Sequence, residues 1–230
     1  MIQTVAETGS TNADLLAQAA AGAAEGTWLR AERQNQGRGR LGRAWSSRVG
    51  NLYASTIVRP LAGDPPAPSL ALVAAVAAEE VASAYAGAGR VQLKWPNDLL
   101  VGHAKLAGIL LERSNDAVVI GIGVNLAHHP EGLERPTVSL ASLGVSPPDP
   151  HGFLLDLAQA FARWLQRWRS EGLAPIRARW LQHAHPIGSA LSAAGREGLF
   201  EGLDADGALL LRHADGTIET VRAGDVFLLA

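Results

Sequence analysis

The segment QNQGRGRLGRAWSS, rich in glycine and arginine, is the first part of the chain whose residue types are suited to chemistry. Because glycine tolerates backbone conformations that other residues resist, Gly37, Gly39 and Gly42 are expected to bend the backbone so that its N–H groups converge on an anion. Arg38 and Arg40 are two residues apart, which places both guanidinium groups on one side of an extended backbone. Such groups bind carboxylate and phosphate oxygens, so the segment predicts an anion site, with a solvated surface loop as the alternative.

The chain contains 18 arginines and only two lysines, Lys94 and Lys105. Arginine presents a planar fork, whereas lysine presents a compact charge on a flexible stem. The sequence of Pro96, Asn97 and Asp98 predicts a turn after Lys94, and Lys105 is expected to begin the returning strand of a hairpin. An ammonium at the edge of a core can stabilise charge that develops on a carboxylate or phosphate, although a lysine that extends to solvent is the simpler alternative.

Two further segments place polar side chains at the ends of predicted elements. GSTN contains Ser10, Thr11 and Asn12, which offer hydroxyl and amide groups for hydrogen bonding to a ligand. Ordinary helix capping is the alternative, which explains Thr11 fully, through a capping box with Asp14, and Ser10 in part. GIGVNL places Asn125 at the C-terminal end of a buried strand, where ligands bind in α/β sheets, and a strand end that needs a hydrogen-bonding cap explains Asn125 equally well.

Composition and missing motifs exclude several classes of protein. The chain has no cysteine, which excludes disulfides and thiolate metal sites, and its formal net charge of −2 argues against a nucleic-acid coat or a membrane-surface protein. The N-terminus predicts no signal peptide, and the longest apolar run, residues 70–78, is too short to cross a bilayer. GxxxxGK[ST], GxSxG and HExxH are missing, and the histidines at 128–129, 183 and 185 lack suitably spaced carboxylates. The sequence therefore predicts a cytoplasmic protein without a metal site of its own.

Hydrophobic periodicity predicts an α+β fold, in which a mixed β-sheet with flanking helices is followed by a small β module. Alternating or continuous apolar runs predict strands at 27–33, 51–60, 91–95, 99–102, 105–113 and 117–126. Helical patterns predict helices at 12–22, 69–86, 153–172 and 174–184. From about residue 187, short apolar runs separated by DADG, ADG and AGD predict a compact β-barrel. We therefore expect two domains, residues 1–185 and 186–230.

In this order, the segments STN, Q-x-x-GRGRxGR-x-W, KWPND, KLAGIL and GxGxN resemble the catalytic region of the biotin protein ligases. The resemblance extends over most of residues 7–126. It implies the family's class II synthetase-like catalytic domain and a small SH3-like C-terminal barrel. It also implies the family's reaction, in which biotin is adenylated with ATP and Mg²⁺ to biotinyl-5′-AMP and the biotinyl group is passed to one lysine of a biotin carrier domain.

The resemblance implies a role for each candidate residue. At the catalytic centre, Lys105 would bind the reacting carboxylate and the α-phosphate oxygens, and Arg40 would contact phosphate. Besides Lys105, the residues implied to hold biotin are Ser10, Thr11 and Asn12 at its ureido end, with Gln34, Gly37, Arg38 and Gly39. Those implied to hold ATP or the adenylate are Arg38, Arg40, Trp45 and Asn125, the last two at adenine, with Lys94, Asn97 and Asp98 on the phosphate side.

The implied partners are biotin, ATP and the biotin carboxyl carrier protein domain of acetyl-CoA carboxylase or a related carboxylase, with neither nucleic acid nor membrane. The oligomeric state stays open, with a homodimer as one alternative. The sequence Arg40–Leu41–Gly42 departs from many relatives, which carry a further basic residue there, so phosphate affinity is expected to be weaker. The chain begins directly at the catalytic region, without the winged helix of family members that repress transcription, so a ligase without repressor activity is expected.

Two other functions are alternatives to this one. Lipoate or octanoate ligases share the catalytic fold, but their substrates have no ureido group, so a buried Ser/Thr/Asn set would lack its partner. The chain also lacks the SGGG-like segment associated with that group. An RNA-binding RG segment would normally be a long repeat with interleaved aromatic residues, whereas GRGRLGR is single and short.

Overall fold

A seven-stranded mixed sheet forms the centre of the protein in the computed structural model, which describes residues 1–133 and 135–229. The strand order is β1-β2-β3-β7-β6-β5-β4. The first pair, β1 and β2, is parallel and every other neighbouring pair is antiparallel. The strands are β1 Ile2–Thr8, β2 Trp28–Gln34, β3 Leu52–Val58, β4 Val91–Lys94, β5 Asp98–Val101, β6 Ala104–Ser114 and β7 Ala117–Val124.

The four helices are α1 Thr11–Ala20, α2 Leu70–Ala86, α3 Pro150–Glu171 and α4 Ala174–Gln182, of which α4 packs against α2, α3 and the C-terminal module. The single helix α1 packs on one face, where Leu15 meets Ile57 and Val119 in a small apolar cluster. Helices α2 and α3 pack on the other face and enclose the large core. The predicted α+β architecture, a mixed sheet with flanking helices, is confirmed.

The predicted helix at 69–86 is confirmed as α2, but its apolar stretch extends well beyond residues 70–78. Together with the short turn before it, the stretch Ala67–Ala86 is 20 residues long with a mean hydropathy of 1.4, which satisfies the length and composition of a membrane span. However, 72% of its most apolar part is buried inside the protein. A helix that is apolar on all sides belongs in the interior of a large core, which is where α2 lies, between the sheet and α3.

The strand β7 shows how the sequence separates the two faces of the sheet. Because side chains alternate along a strand, Val118, Ile120 and Ile122 enter the large core, whereas Gly121 and Gly123 lie on the opposite face with α1. Glycine at two consecutive positions of one face leaves a strip of bare backbone. A shallow floor therefore forms beside α1 without any break in the sheet.

The C-terminal module is a five-stranded antiparallel sheet with the order β11-β10-β9-β8-β12. Its strands are β8 Ala190–Ala193, β9 Arg196–Leu203, β10 Leu209–Arg212, β11 Ile218–Val221 and β12 Val226–Leu228. The predicted small all-β module is confirmed. The structure shows no closed barrel, because β11 and β12 are edge strands with no ladder between them in the described residues.

The module is joined to the central sheet by a hydrogen bond and by a shared core. The Trp95 indole N–H donates to the Gly207 carbonyl at 3.1 Å. Phe200 of β9 packs edge-on to Trp180 of α4. Because the buried cluster continues across this junction, the module is held firmly against the sheet.

Two local predictions at the N-terminus differ from the structure. The strand β1 was not predicted, because it is an edge strand whose side chains are mostly exposed and therefore show no clear alternation. The predicted capping box of Thr11 and Asp14 is also wrong. Ser10 is the N-cap and accepts from the Ala13 N–H at 3.5 Å, whereas Asp14 accepts from the Thr8 hydroxyl at 2.5 Å. Thr11 is thereby left to face the sheet.

His185, at the junction between sheet and module, supplies a pH test of this packing. Burial, with Lys94 and His103 nearby, lowers the pKa of His185 from 6.5 to about 4. Between these values the unfolded chain binds a proton that the folded protein excludes, so the free energy of unfolding falls as the pH drops. We expect His185→Gln to lose about 1 kcal/mol less free energy of unfolding between pH 7 and pH 5 than the parent protein does. This value already includes a reduction for the partial exposure of the His185 side chain.

The measurement is urea unfolding at both pH values, with exposed His151→Gln as the matched control. An equal loss of stability in His185→Gln and in the parent protein would contradict the assignment.

Candidate active site

A cavity of about 720 Å³ lies on the α1 face of the central sheet. Its walls come from the N-terminal end of α1, from residues 34–47, from the loop before α3 and from the start of β12. With the single exception of Gly37, every predicted site residue lines this one cavity. A volume of this size is ordinary for a small-molecule or cofactor site.

Three glycines form the floor of the cavity because side chains lie directly on their backbone. A Cβ atom added at Gly123 would approach the Trp45 ring to 2.7 Å, and one at Gly108 would approach it to 3.0 Å. At Gly121 an added Cβ atom would overlap the side-chain amide of Asn12. The requirement for glycine here is therefore close approach rather than an unusual backbone angle.

One end of the cavity is neutral and polar. The Gln34 side-chain oxygen accepts from the Thr11 backbone N–H at 2.8 Å, and the Gln34 amide nitrogen donates to the Ser47 hydroxyl at 3.2 Å. Ser10 and Thr11 are both buried and line the same end. This arrangement offers hydroxyl and amide groups without any formal charge.

Asn12 lies at this end, but its amide is already engaged by the protein. The nitrogen donates to the Glu112 carboxylate at 2.8 Å and to the Leu110 carbonyl at 3.4 Å. The oxygen accepts from the Ser55 hydroxyl at 2.6 Å. Both amide hydrogens of Asn12 are therefore used inside the protein, so the ligand-binding role implied for this residue does not follow from the geometry.

The other end contains both lysines of the chain, and one carboxylate joins them. Lys105 Nζ is 2.6 Å from Asp98 Oδ1, and Lys94 Nζ is 3.6 Å from Asp98 Oδ2. The register produces this cluster, because Lys94 on β4 pairs with Asp98 on β5, which is next to β6. Burial lowers the pKa of Lys94, with Arg135 and Lys105 adding to the effect against the opposing attraction of Asp98.

Residues 34–47, here called the Gly/Arg loop, fold as a tight hairpin. The Gly39 N–H donates to the Arg43 carbonyl at 2.7 Å, and the Trp45 N–H donates to the Gly37 carbonyl at 2.9 Å. These two N–H groups are used within the hairpin, so they do not form the predicted anion nest. Of the three glycines, only Gly42 has a positive φ, of 71°. Gly37 is required because an added Cβ would lie 2.7 Å from the Trp45 carbonyl oxygen.

The two predicted anion-binding arginines both line the cavity but differ in exposure. Arg40 reaches into the cavity, where its guanidinium donates to the Asn97 side-chain oxygen at 3.2 Å and to the Gly224 carbonyl at 3.1 Å. Arg38 is exposed, and its backbone forms an isolated bridge with Ala44. Gly39 between them is extended and the chain turns only at Arg40–Gly42, so the placement of both guanidinium groups on one side stays a prediction.

Trp45 and Asn125 complete the group of predicted residues. The Trp45 ring lies over the glycine floor, with Lys105 Nζ 5.4 Å from its centre, and its indole nitrogen is buried without a hydrogen-bond partner in the described residues. The Asn125 amide nitrogen donates to the Val138 carbonyl at 3.1 Å and to the Lys105 carbonyl at 3.4 Å. Asn125 thus joins two chain segments at the cavity wall, as the strand-cap alternative anticipated.

Asp225 is a site residue that the sequence analysis missed. Its carboxylate forms ion pairs with Arg43, with Arg135 at 3.7 Å and with Arg40 at 3.9 Å. The Arg43 guanidinium, followed by Arg135 and Arg40, lowers the pKa of Asp225 against the opposing effect of burial. The surrounding sequence VRAGDV contains no signal for this role, because the partner side chains lie in distant segments.

Electrostatics divides the cavity into two halves. The cationic side chains in its lining are Lys94, Lys105, Arg38, Arg40, Arg43 and Arg135, and the carboxylates are Asp98 and Asp225. Six cations against two carboxylates leave a net positive charge that favours a polyanionic ligand. Fold and site together define a class of ligand-binding protein, in which one end of a cavity suits a neutral polar group of the ligand and the other end suits an anionic group.

Comparison with known proteins agrees with this class. The sequence model described as the Biotin/lipoate A/B protein ligase family matches residues 8–125, and that of the Biotin protein ligase C terminal domain matches residues 196–229. The chain is 41% identical to a biotin–[acetyl-CoA-carboxylase] ligase of Paracoccus denitrificans, across 97% of this chain and 98% of the relative. It is 38% identical to the ligase of the same name from Mycobacterium tuberculosis, across 98% and 88%.

A solved structure of the biotin protein ligase from Aquifex aeolicus in complex with biotin and ATP superposes with a TM-score of 0.89 at 26% identity, covering 99% of both chains. The chain therefore belongs to the Biotin/lipoate A/B protein ligase family, within its biotin protein ligases.

Asp225→Asn tests whether the ion pairs hold the Gly/Arg loop closed in the absence of ligand. The substitution removes the charge that Arg40, Arg43 and Arg135 share. Partly exposed ion pairs contribute about 0.3–1 kcal/mol each, so a loss of about 1 kcal/mol in total is expected. That loss corresponds to about a fivefold rise in the open population and in the rate of tryptic cleavage after Arg40 and Arg43.

Mass spectrometry of the first tryptic fragments measures this rate. Asp215→Asn is the matched control, because Asp215 lies in the same module and bonds only locally with Thr217. Identical cleavage in the parent protein and in both variants would show that Asp225 does not hold the loop.

Proposed function

We propose that this chain activates biotin with ATP to form biotinyl-5′-AMP and pyrophosphate, and then transfers the biotinyl group to a lysine of a biotin carboxyl carrier protein. The observation that carries the proposal is that one continuous cavity joins a neutral hydrogen-bonding end to a cationic end. Biotin has a neutral ureido ring at one end and a carboxylate at the other, and ATP adds further negative charge. The names of the relatives support the same reaction.

Ser10, Thr11 and Gln34 would bind the ureido ring, because this ring has a carbonyl acceptor between two N–H donors. The backbone of Arg38 and Gly39 would close over biotin from the Gly/Arg loop, with Gly37 shaping the turn. The glycine floor would allow the bicyclic ring to lie close to the sheet. Buried polar groups left without a partner make such a site reject ligands that lack the matching hydrogen-bonding groups.

Lys105 and Arg40 would bring together two groups that repel each other. A biotin carboxylate oxygen forms a bond to the α-phosphorus while the bond from that phosphorus to the oxygen bridging to the β-phosphate breaks, and pyrophosphate leaves. Lys105, now paired with Asp98, would bind the reacting carboxylate and the α-phosphate oxygens, and Arg40 would bind phosphate. Catalysis would then consist of positioning and charge neutralisation.

The remaining cavity residues would hold the nucleotide. Trp45 would pack against adenine and Asn125 would support the adenine wall, whereas Lys94, Asn97 and Asp98 would organise the phosphate side. Among the described residues, no three His, Cys, Asp or Glu side chains cluster to hold a metal ion, and both cavity carboxylates are paired with cations. Mg²⁺ would therefore be held mainly by ATP phosphates, where it supplies further neutralisation of their charge.

In the second step the carrier lysine amine attacks the acyl carbon of the adenylate, the bond to the phosphate oxygen breaks, and AMP leaves. This step requires no nucleophile from the chain itself, since the amine comes from the carrier domain. Such a domain of acetyl-CoA carboxylase or a related carboxylase is the proposed partner, in the cytoplasm, with a homodimer as the proposed assembly if the chain associates.

We also propose a division into a catalytic domain, residues 1–185, and a C-terminal domain, residues 186–230. The change from helix-containing to all-β structure supports the boundary. Ala230, the last residue of the second range, lies outside the described residues.

Exchange of labelled pyrophosphate into ATP tests the substrate, because exchange requires reversible adenylation of the acid. The protein would be assayed with biotin, lipoate and octanoate separately. We expect exchange to be stimulated by biotin alone, since lipoate and octanoate have no ureido group for the polar end. Stimulation by lipoate or octanoate instead of biotin would contradict the proposal.

Lys105→Ala tests the catalytic assignment. Removal of one charge that stabilises the transition state costs about 10²–10³ in rate, and a loss of this size in biotin-dependent exchange is expected. Arg113→Ala is the matched control, since Arg113 is an exposed cation at the far end of the same strand. Full exchange activity in Lys105→Ala would overturn the role of this residue.

A further inference from the structure

The polar end of the cavity is backed by a chain of four side chains that crosses three strands. It runs from Glu112 to Asn12, then to Ser55 and finally to Thr11. Thr11 and Asn12 line the cavity, whereas Ser55 and Glu112 lie behind them. Glu112 has no role in the reaction proposed above. The chemistry of these four groups permits only one arrangement of their hydrogen atoms.

The first link fixes the orientation of the Asn12 amide. One of the two terminal atoms of this amide lies 2.8 Å from a Glu112 carboxylate oxygen and 3.4 Å from the Leu110 carbonyl oxygen. Both neighbours only accept hydrogen bonds at neutral pH, so the atom between them is the nitrogen. The Asn12 oxygen is thereby turned toward Ser55.

The next links fix the direction of two hydroxyl groups. The Ser55 oxygen is 2.6 Å from the Asn12 oxygen and 2.7 Å from the Thr11 hydroxyl oxygen. Because the Asn12 oxygen can only accept, the single Ser55 proton is donated to it, and Ser55 must accept from Thr11. Ser55 is fully buried, so no water competes for this proton.

Thr11 then meets the ligand as an acceptor. Its one hydroxyl proton is donated to Ser55, and the Gln34 oxygen, 3.1 Å from that hydroxyl, is satisfied instead by the Thr11 backbone N–H at 2.8 Å. The neighbouring Ser10 oxygen accepts from the Ala13 N–H, which leaves its proton free for a ligand carbonyl. An acceptor beside a donor matches a ring N–H next to a carbonyl.

The sheet holds this chain of hydrogen bonds in place. Gly121 of β7 is the register partner of both Ser55 on β3 and Leu110 on β6. Glu112 lies two residues beyond Leu110 and therefore on the same face. The missing Cβ of Gly121 lets the Asn12 amide lie across the central strand and reach both neighbours at once.

We propose that Glu112 is a positioning residue that determines ligand specificity, because its carboxylate fixes Asn12 and Ser55 so that Thr11 accepts from a ring N–H of the ligand. This inference rests on the proposed binding of biotin. Without the carboxylate, only the long contact of 3.4 Å to the Leu110 carbonyl resists turning of the Asn12 amide, so Ser55 can reverse and Thr11 can present its proton to the ligand. In the parent protein Glu112 therefore favours ligands with a ring N–H over ligands with a ring oxygen at this position, although Glu112 itself does not contact the ligand.

The test compares calorimetric dissociation constants of biotin with those of its two cyclic carbamate analogues, in each of which an oxygen replaces one ring N–H. The parent protein is expected to prefer biotin over one analogue by at least about tenfold, because two acceptors then face each other. In Glu112→Gln the ratio is expected to fall to about threefold or less. The double variant Asn12→Asp with Glu112→Gln exchanges the amide and the carboxylate at nearly constant shape. It again places a group that can only accept beside Ser55, so it is expected to restore the ratio.

Each outcome decides a different question. If the parent protein binds no biotin, the proposed function fails before Glu112 is tested. If the parent binds biotin but the ratio is unchanged in Glu112→Gln, or if both ligands weaken equally, Glu112 only anchors α1 and the inference is overturned. Thermal melts verify folding of the variants, and the Glu112→Gln ratio alone decides the matter if the double variant does not fold.

Discussion

The pairing of Asp98 with Lys94 and Lys105 is the interaction on which the cationic half of the cavity depends. Two ammonium groups close together in a partly buried site repel each other, and burial of either one is costly without a counter-charge. Asp98 provides that counter-charge from the middle strand of three, so both lysines point into the cavity rather than away from each other. The register of β4, β5 and β6 is therefore as important to the site as the lysines themselves.

Asp225 performs the same function for the arginines, but from a different part of the chain. Arg40 and Arg43 come from the Gly/Arg loop and Arg135 from the segment before α3, and the three share one carboxylate of the C-terminal module. The module is in turn fixed to the central sheet by Trp95 and by the common core. The cavity is thus a composite of both modules. Without a bound polyanion, two carboxylates of the protein partly neutralise the charge that such a ligand would meet.

The neutral half depends on a different constraint, the saturation of buried hydrogen-bonding groups. Asn12, Ser55 and Glu112 satisfy one another, and this leaves defined donors and acceptors at Ser10, Thr11 and Gln34. The two halves meet over Gly108, Gly121 and Gly123, where bare backbone allows side chains to lie directly on the sheet. Charge at one end and fixed hydrogen-bond direction at the other give one cavity two independent means of recognition.

The sequence alone determined the features that depend on local patterns. The periodicity of long segments predicted the helices and most strands. The order of short motifs identified the family, and all but one of the site residues that it implied line the cavity. The weakly alternating edge strand β1 was not predicted, and the cap was assigned mainly to Thr11 instead of Ser10, because exposed strands and neighbouring hydroxyl residues carry little local signal. Only the tertiary structure decided which side chains meet. Arg43 and Asp225 are 182 positions apart, and Asn12 and Glu112 are 100 apart. Such pairs arise from sheet order and register, which bring distant strands together and which no local pattern of residues encodes.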